Sequence, residues 1–155
     1  MNTPAANTDG VLTWHDGLLL GFPEIDAEHR EFVACLQALQ LALQLADPNT
    51  VAQRLQDFAQ HARKHFAAED RWMQDTGFPP RQCHIDEHAA VLKSVAEVQA
   101  LVAAGNTGIV KSLADALAHW FPGHADHLDS ALAAWMCKQR WGAKPVVLRR
   151  GVAAT

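Results

Sequence analysis

Along most of the chain, apolar residues recur at alternating steps of four and three, the period of a helix that buries one face. The first such seam starts near Pro23 and runs through Ile25, His29, Phe32, Leu36, Leu39 and Leu43 until Asp47-Pro48-Asn49 breaks it. The second carries Val51, Leu55, Phe58, Ala62, His65, Glu69 and Trp72. The stretch Asp75-Thr76-Gly77-Phe78-Pro79-Pro80 follows, with a Gly where a helix C-cap belongs and prolines that cannot continue a helix. A third seam runs through His84, His88, Val91, Val95, Val98 and Val102 and ends at Gly105-Asn106. The fourth starts around Thr107 and carries Val110, Leu113, Leu117, Phe121, His124, Leu128, Leu132 and Trp135. Four amphipathic helices with short connections predict an all-α fold, an up-down-up-down antiparallel four-helix bundle. Residues 11–22, with Trp14, Gly17 and Gly21, read as an N-terminal extended arm across that bundle. Residues 1–10 read as a disordered start, residues 11–141 as the domain, and residues 142–155 as a basic C-terminal tail.

The seams are not purely apolar. His29, His65, Glu69, His84, His88 and His124 occupy positions where core residues belong. His65 and Glu69 stand four apart, as do His84 and His88, and positions four apart lie one above the other on a helix. Two such helices facing each other aim three imidazoles and a carboxylate at one region. A lone histidine on an apolar seam is usually a core residue bonded to a neighbour, but the set changes that balance. An ionised Glu69 costs several kcal/mol to bury unpaired, and neutral imidazoles supply no countercharge. A divalent metal removes the problem, because neutral imidazole nitrogens coordinate it and the carboxylate meets its charge.

Composition narrows the setting. With 155 residues the chain makes one domain large enough to bury roughly 68–70% of its unfolded surface without staples, so a metal here serves function rather than folding. Cys35, Cys83 and Cys137 are odd in number, widely spaced and form no Cys-x-x-Cys, which suits free thiols in a reducing compartment. No secretory signal or transmembrane run is readable, so the expected location is cytoplasmic, without a membrane partner. The net charge of −4 is uneven: no acidic residue follows Asp129, while Lys138, Arg140, Lys144, Arg149 and Arg150 do. That leaves 8 basic against 17 acidic residues before position 130, a net of −9. Such a body repels nucleic acid, and the basic tail reads as a solvated end.

The ligand types discriminate among metal sites. Ferritin-like di-iron bundles draw on Glu-x-x-His pairs, and none exists here; nor does His-Glu-x-x-His or zinc-finger cysteine spacing. A site rich in histidine and poor in carboxylate remains.

Over about residues 11–136 the chain resembles the hemerythrins, specifically the bacterial single-domain kind. The resemblance rests on the arm with Trp14, on G-F-P-E-I-D-A-E-H from Gly21, on H-F-A-A-E-D from His65, on H-I-D-E-H from His84 and on W-F-P-G-H-A-D-H-L-D from Trp120. It implies two Fe ions with an oxo or hydroxo bridge, shuttling between Fe(II) and Fe(III). His84, His88 and His124 would hold one iron and His29 and His65 the other, with Glu69 and Asp129 bridging. The iron with two histidines keeps an open position, where the resemblance implies reversible O2 binding in storage, delivery or sensing, and no catalysis. Two other readings are a di-iron enzyme acting on peroxide or nitric oxide, and an iron- or oxygen-responsive module with an unidentified protein partner. Enzymatic use calls for a proton donor or acceptor near the open iron; no unassigned carboxylate falls on the inner faces, and Tyr is absent.

Several positions carry their own expectations. Asp129 lies five residues after His124, about 140° away on a regular helix, so the resemblance selects it over Asp126 where spacing does not. Pro122, inside the fourth helix, is expected to displace His124. Ala125 stands where the family usually has a larger aliphatic residue, and the smaller side chain is expected to admit water and hasten autoxidation. His15, His61, His119 and His127 read as surface or supporting residues rather than ligands.

Overall fold

The computed structural model describes residues 10–150, so most of the N-terminal segment expected to be disordered, and the last five residues of the tail, lie outside the described residues. Helix α1 spans Pro23–Leu45, α2 Pro48–Asp75 and α3 Arg81–Ala103. The fourth rod is built of α4 (Val110–His124), a π-turn (Ala125–Asp129) and α5 (Ser130–Trp141). Helix α1 packs on α2 and α4, and α3 on the same two, which closes an antiparallel four-helix bundle. No helix among the described residues is long and apolar enough to cross a membrane.

Local chemistry sets the ends. Prolines open α1 and α2 at the position where a missing N–H is harmless. Asp47 caps α2, accepting from the Asn49 amide at 3.2 Å and the Thr50 hydroxyl at 2.6 Å. Between α2 and α3, Gly77 takes φ +67°, which lets the Phe78 amide reach back to the Met73 carbonyl at 2.9 Å. That turn buries Phe78.

The arm lies on the bundle as expected, with one 3₁₀ turn at Asp16–Leu18. Buried Gln40 fastens it, accepting from the Leu12 amide and donating to the Gly10 carbonyl, both at 2.8 Å. Asp26 accepts from the Leu20 and Gly21 amides at 2.7 and 3.0 Å and so fixes the entry into α1. The tail is more than a solvated end. Pro145 and Val147 lie so close to Gly21 that a Cβ there would meet them at 2.8 and 3.1 Å, and the Arg150 guanidinium pairs with Asp16 on the arm.

Buried apolar residues form two clusters. The larger contains Phe32, Phe66, Phe121 and Ala125, and the smaller contains Ile25, Met73, Leu132 and Phe22. Along α1, α2 and the fourth rod the chain passes from one cluster to the other through His29, Glu69 and Asp129 respectively. A polar layer therefore crosses the bundle between two apolar ones.

Candidate metal centre

Seven side chains make that layer: His29, His65, Glu69, His84, His88, His124 and Asp129, each no more than 3% exposed. The structure brings together every residue singled out from the sequence. Donor atoms of Glu69, His84, His88, His124 and Asp129 lie within 4.8 Å of one another, as do those of His29, His65 and Glu69. The two groups share carboxylates. Glu69 turns Oε1 toward His65 (3.3 Å) and His29 (3.7 Å), and Oε2 toward His88 (3.4 Å) and His84 (3.6 Å). Asp129 turns Oδ2 toward His29 (2.9 Å), and Oδ1 toward His84 (2.8 Å) and His124 (3.1 Å).

Asp129 reaches this layer through the π-turn. The Ser130 amide bonds to the Ala125 carbonyl five residues back, and an i→i+5 pattern stacks residues five apart as an α-helix stacks those four apart. Asp129 therefore faces the same way as His124, while Asp126 is exposed. The displacement of His124 expected from Pro122 does not occur: α4 runs through Pro122, and His124 stands in the layer with Nε2 3.3 Å from His88 Nε2. Ala125 is buried in the larger apolar cluster at 2% exposure.

The donors suit a metal. The Nε2 atoms of His29 and His84 and both oxygens of Glu69 and Asp129 are buried without a hydrogen-bond partner. The contacts at 2.8 and 2.9 Å are short enough for hydrogen bonds but lack their direction. Ring nitrogens and carboxylate oxygens that crowd together without bonding to each other have the geometry of ligands converging on a common cation.

Protons fill the electrostatic role in the metal-free chain. Burial pulls the His29 pKa down, but Asp129 and Glu69 outweigh it and raise it to about 10. Burial opposes charge on His88 too, and Asp70 and Glu69 raise it to about 9. His65 is lowered to about 4, burial being the largest cause. Burial pushes Asp129 up, yet His124, His29 and His84 hold it well below the usual carboxylate range. The His29 and His88 pKa values exceed the unfolded one, so their stabilisation is complete below pH 6.5 and fades as pH rises through about 9 and 10. A metal ion needs these nitrogens deprotonated, so loading at pH 7 is expected to release about two protons per chain, and affinity to rise with pH. Calorimetric titration in buffers of different ionisation enthalpy measures that number. A release well below one would contradict the assignment of charge to these two rings.

Behind the ligands stands a set of carboxylates not foreseen from the sequence. Asp70 on α2 meets His88 Nδ1 on α3 at 2.7 Å, and Glu87 on α3 meets His124 Nδ1 on α4 at 3.2 Å. Glu28 on α1 lies 3.8 Å from His65 Nδ1 on α2. Each is the sequence neighbour of a ligand position on one helix and reaches a ligand on the next. Such partners fix imidazole orientation and tautomer. Trp120 extends one of them, donating to Glu87 at 2.7 Å. The expectation of no further carboxylate near the inner faces is therefore revised: three reach the layer from its flanks, on the far side of the rings from the shared carboxylates. The adjacency of Glu28, Asp70 and Glu87 to ligands was the available signal.

The model of the hemerythrin HHE cation binding domain matches residues 20–136. The chain belongs to the hemerythrin family. Its similarity to the bacteriohemerythrin of Ralstonia nicotianae is 34% identity over 129 residues, 83% of this chain and 91% of the relative. The bacteriohemerythrin of Stenotrophomonas maltophilia is 29% identical over 123 residues, 79% of this chain and 80% of the relative. Two crystal structures of hemerythrin point mutants superpose with a TM-score of 0.74 at 18 and 19% identity. They cover 81 and 80% of this chain and 99 and 98% of their own, and they establish the shared fold. All seven residues of the polar layer fall within the hemerythrin match.

Proposed function

We propose that the protein binds O2 reversibly at a non-haem di-iron centre held by His29, His65, Glu69, His84, His88, His124 and Asp129. The observation that carries this reading is the way Glu69 and Asp129 each divide their oxygens between a two-histidine group and a three-histidine group. His84, His88 and His124 would hold one ion, His29 and His65 the other, and both carboxylates would bridge. Such a pair, when bound, would supply the two electrons that O2 takes up on binding and gives back on release.

The chain's own residues favour binding over turnover. The two-histidine side is walled by phenylalanine: Phe121 meets the His29 ring edge-on at 5.1 Å, and Phe32 and Phe66 lie 6.3 and 5.4 Å from His65. Apolar walls exclude water and offer a bound diatomic no proton donor. The flanking carboxylates engage the backs of the imidazoles and hold them in place.

Iron content and the visible spectrum test this, with the protein reduced without oxygen and then exposed to air. About two irons per chain, with bands that appear with O2 and vanish when it is removed, are expected. Zinc or a single metal overturns the centre, and oxidation without O2 release overturns reversible binding. Ala125 gives a graded check. An Ala125→Ile variant adds apolar volume next to His124 in the larger cluster and is expected to autoxidise more slowly, followed as the decay of the oxygenated spectrum; an unchanged rate would separate oxidation from side-chain volume at this position.

A further inference from the structure

The two sides of the polar layer are not built alike. Five side chains converge on the three-histidine side, where donor atoms of His84, His88, His124, Glu69 and Asp129 lie within 4.8 Å of one another. On the other side His29, His65 and Glu69 converge in this way, and Asp129 adds a contact to His29 at 2.9 Å.

The rings also differ in how firmly they are held. His88 Nδ1 is bonded to Asp70 at 2.7 Å, and Phe66 stacks on the His88 ring at 4.1 Å with an interplanar angle of 9°. His124 Nδ1 is bonded to Glu87 at 3.2 Å, Trp120 donates to the same Glu87 oxygen at 2.7 Å, and the Trp120 ring lies 4.3 Å from that of His124. On this side only His84 Nδ1 has no hydrogen-bond partner among the described residues. On the two-histidine side both rear nitrogens, His29 Nδ1 and His65 Nδ1, have none among the described residues. Glu28, at 3.8 Å, stands beyond hydrogen-bond reach of His65.

An imidazole whose rear nitrogen is bonded to a carboxylate keeps one tautomer, points its other nitrogen forward and is the more basic ligand. A ring without that partner is ordered only when the ion arrives, at a cost in affinity. Two cations that share Glu69 and Asp129 repel each other, so the layer takes one before the other. The held rings decide which.

We propose that the three-histidine side takes the first metal ion and the two-histidine side the second, at distinctly lower affinity, and that Asp70 and Glu87 are the positioning residues that set this order. The first ion would fix Glu69 and Asp129 through Oε2 and Oδ1, leaving Oε1 aimed at His65 and Oδ2 at His29. The second place is thus completed by the filling of the first, and oxygen binding depends on the weaker of the two ions. This inference rests on the proposed two-metal centre.

The test is a titration of the metal-free, full-length protein with Co(II) without oxygen, followed by the visible absorption of the bound ion. Co(II) stands next to Fe(II) in the affinity order of divalent metals. Two steps of about one ion each are expected, at least roughly tenfold apart in affinity. Asp70→Asn and Glu87→Gln are each expected to weaken the first step roughly tenfold or more with the metal-free Tm near wild type, since these side chains are 28% and 36% exposed. His65→Gln, which removes a donor from the other side, is expected to keep the first step and lose the second. Glu97→Gln, an exposed carboxylate on α3, is the control and is expected to match wild type. Two ions bound with equal affinity, or a first step lost in His65→Gln, overturn the order. A first step untouched in both Asp70→Asn and Glu87→Gln overturns their positioning role, as does equal weakening of both steps. Wild type that binds fewer than two Co(II) per chain overturns the two-metal reading itself, and the order with it.

Discussion

Glu69→Gln is expected to lower iron content from about two per chain to one or fewer and to abolish the oxygen-dependent bands. Glu69 is fully buried and is the member of the layer common to both groups of donor atoms. An amide keeps the shape but offers one oxygen where two are needed, and it removes the negative charge that a cation pair requires. The metal-free fold should survive the change. Burial and the neighbouring Asp129 both oppose the ionised form of Glu69, while His65, His29 and His88 favour it, so the amide relieves one conflict as it loses the other contacts. The discriminating measurement is the rise in Tm on adding iron. Tight binding to the native state alone contributes about 4 kcal/mol at a thousandfold excess over Kd, and the variant should lose most of that rise while its metal-free Tm stays near wild type. A variant that keeps two irons and the full rise would remove Glu69 from the ligand set.

Phe121→Ala is expected to cost about 3–5 kcal/mol of stability, in the range of large aromatic truncations in packed cores. Phe121 is 1% exposed, stacks on Phe32 at 4.6 Å with an interplanar angle of 18°, and meets the His29 ring at 5.1 Å. Its removal opens a cavity on the two-histidine side that neighbouring rings cannot fill without leaving their rotamers. For a chain of this size the loss corresponds to a fall in Tm of roughly 6–20 °C, measured by calorimetry on the metal-free protein. Iron stoichiometry should remain at the wild-type value because no donor atom is lost. A change below about 1 kcal/mol would mean that this wall is loosely packed, against the burial and stacking described above.

Much of this protein follows from the order of its residues. The four seams, broken by Asp47-Pro48, Gly77-Phe78-Pro79-Pro80 and Gly105-Asn106, determine the helices and their antiparallel order, because a helix with one apolar face can satisfy that face only against others. The placement of His29, His65, Glu69, His84, His88 and His124 on those seams follows too, since a four-residue step preserves direction along an α-helix.

Tertiary structure decided the rest. Asp129 is out of phase with His124 under α-helical spacing, and only the π-turn over Ala125–Asp129 aims it at the layer; a change from i→i+4 to i→i+5 bonding depends on how the fourth rod packs, which periodicity does not encode. Asp70, Glu87 and Glu28 look like ordinary flanking charges until the neighbouring helix supplies His88, His124 and His65. The return of the tail along the arm, with Arg150 on Asp16, joins residues 134 positions apart. Each of these depends on which surfaces meet, a property of the folded bundle, whereas the seams are written into each helix separately.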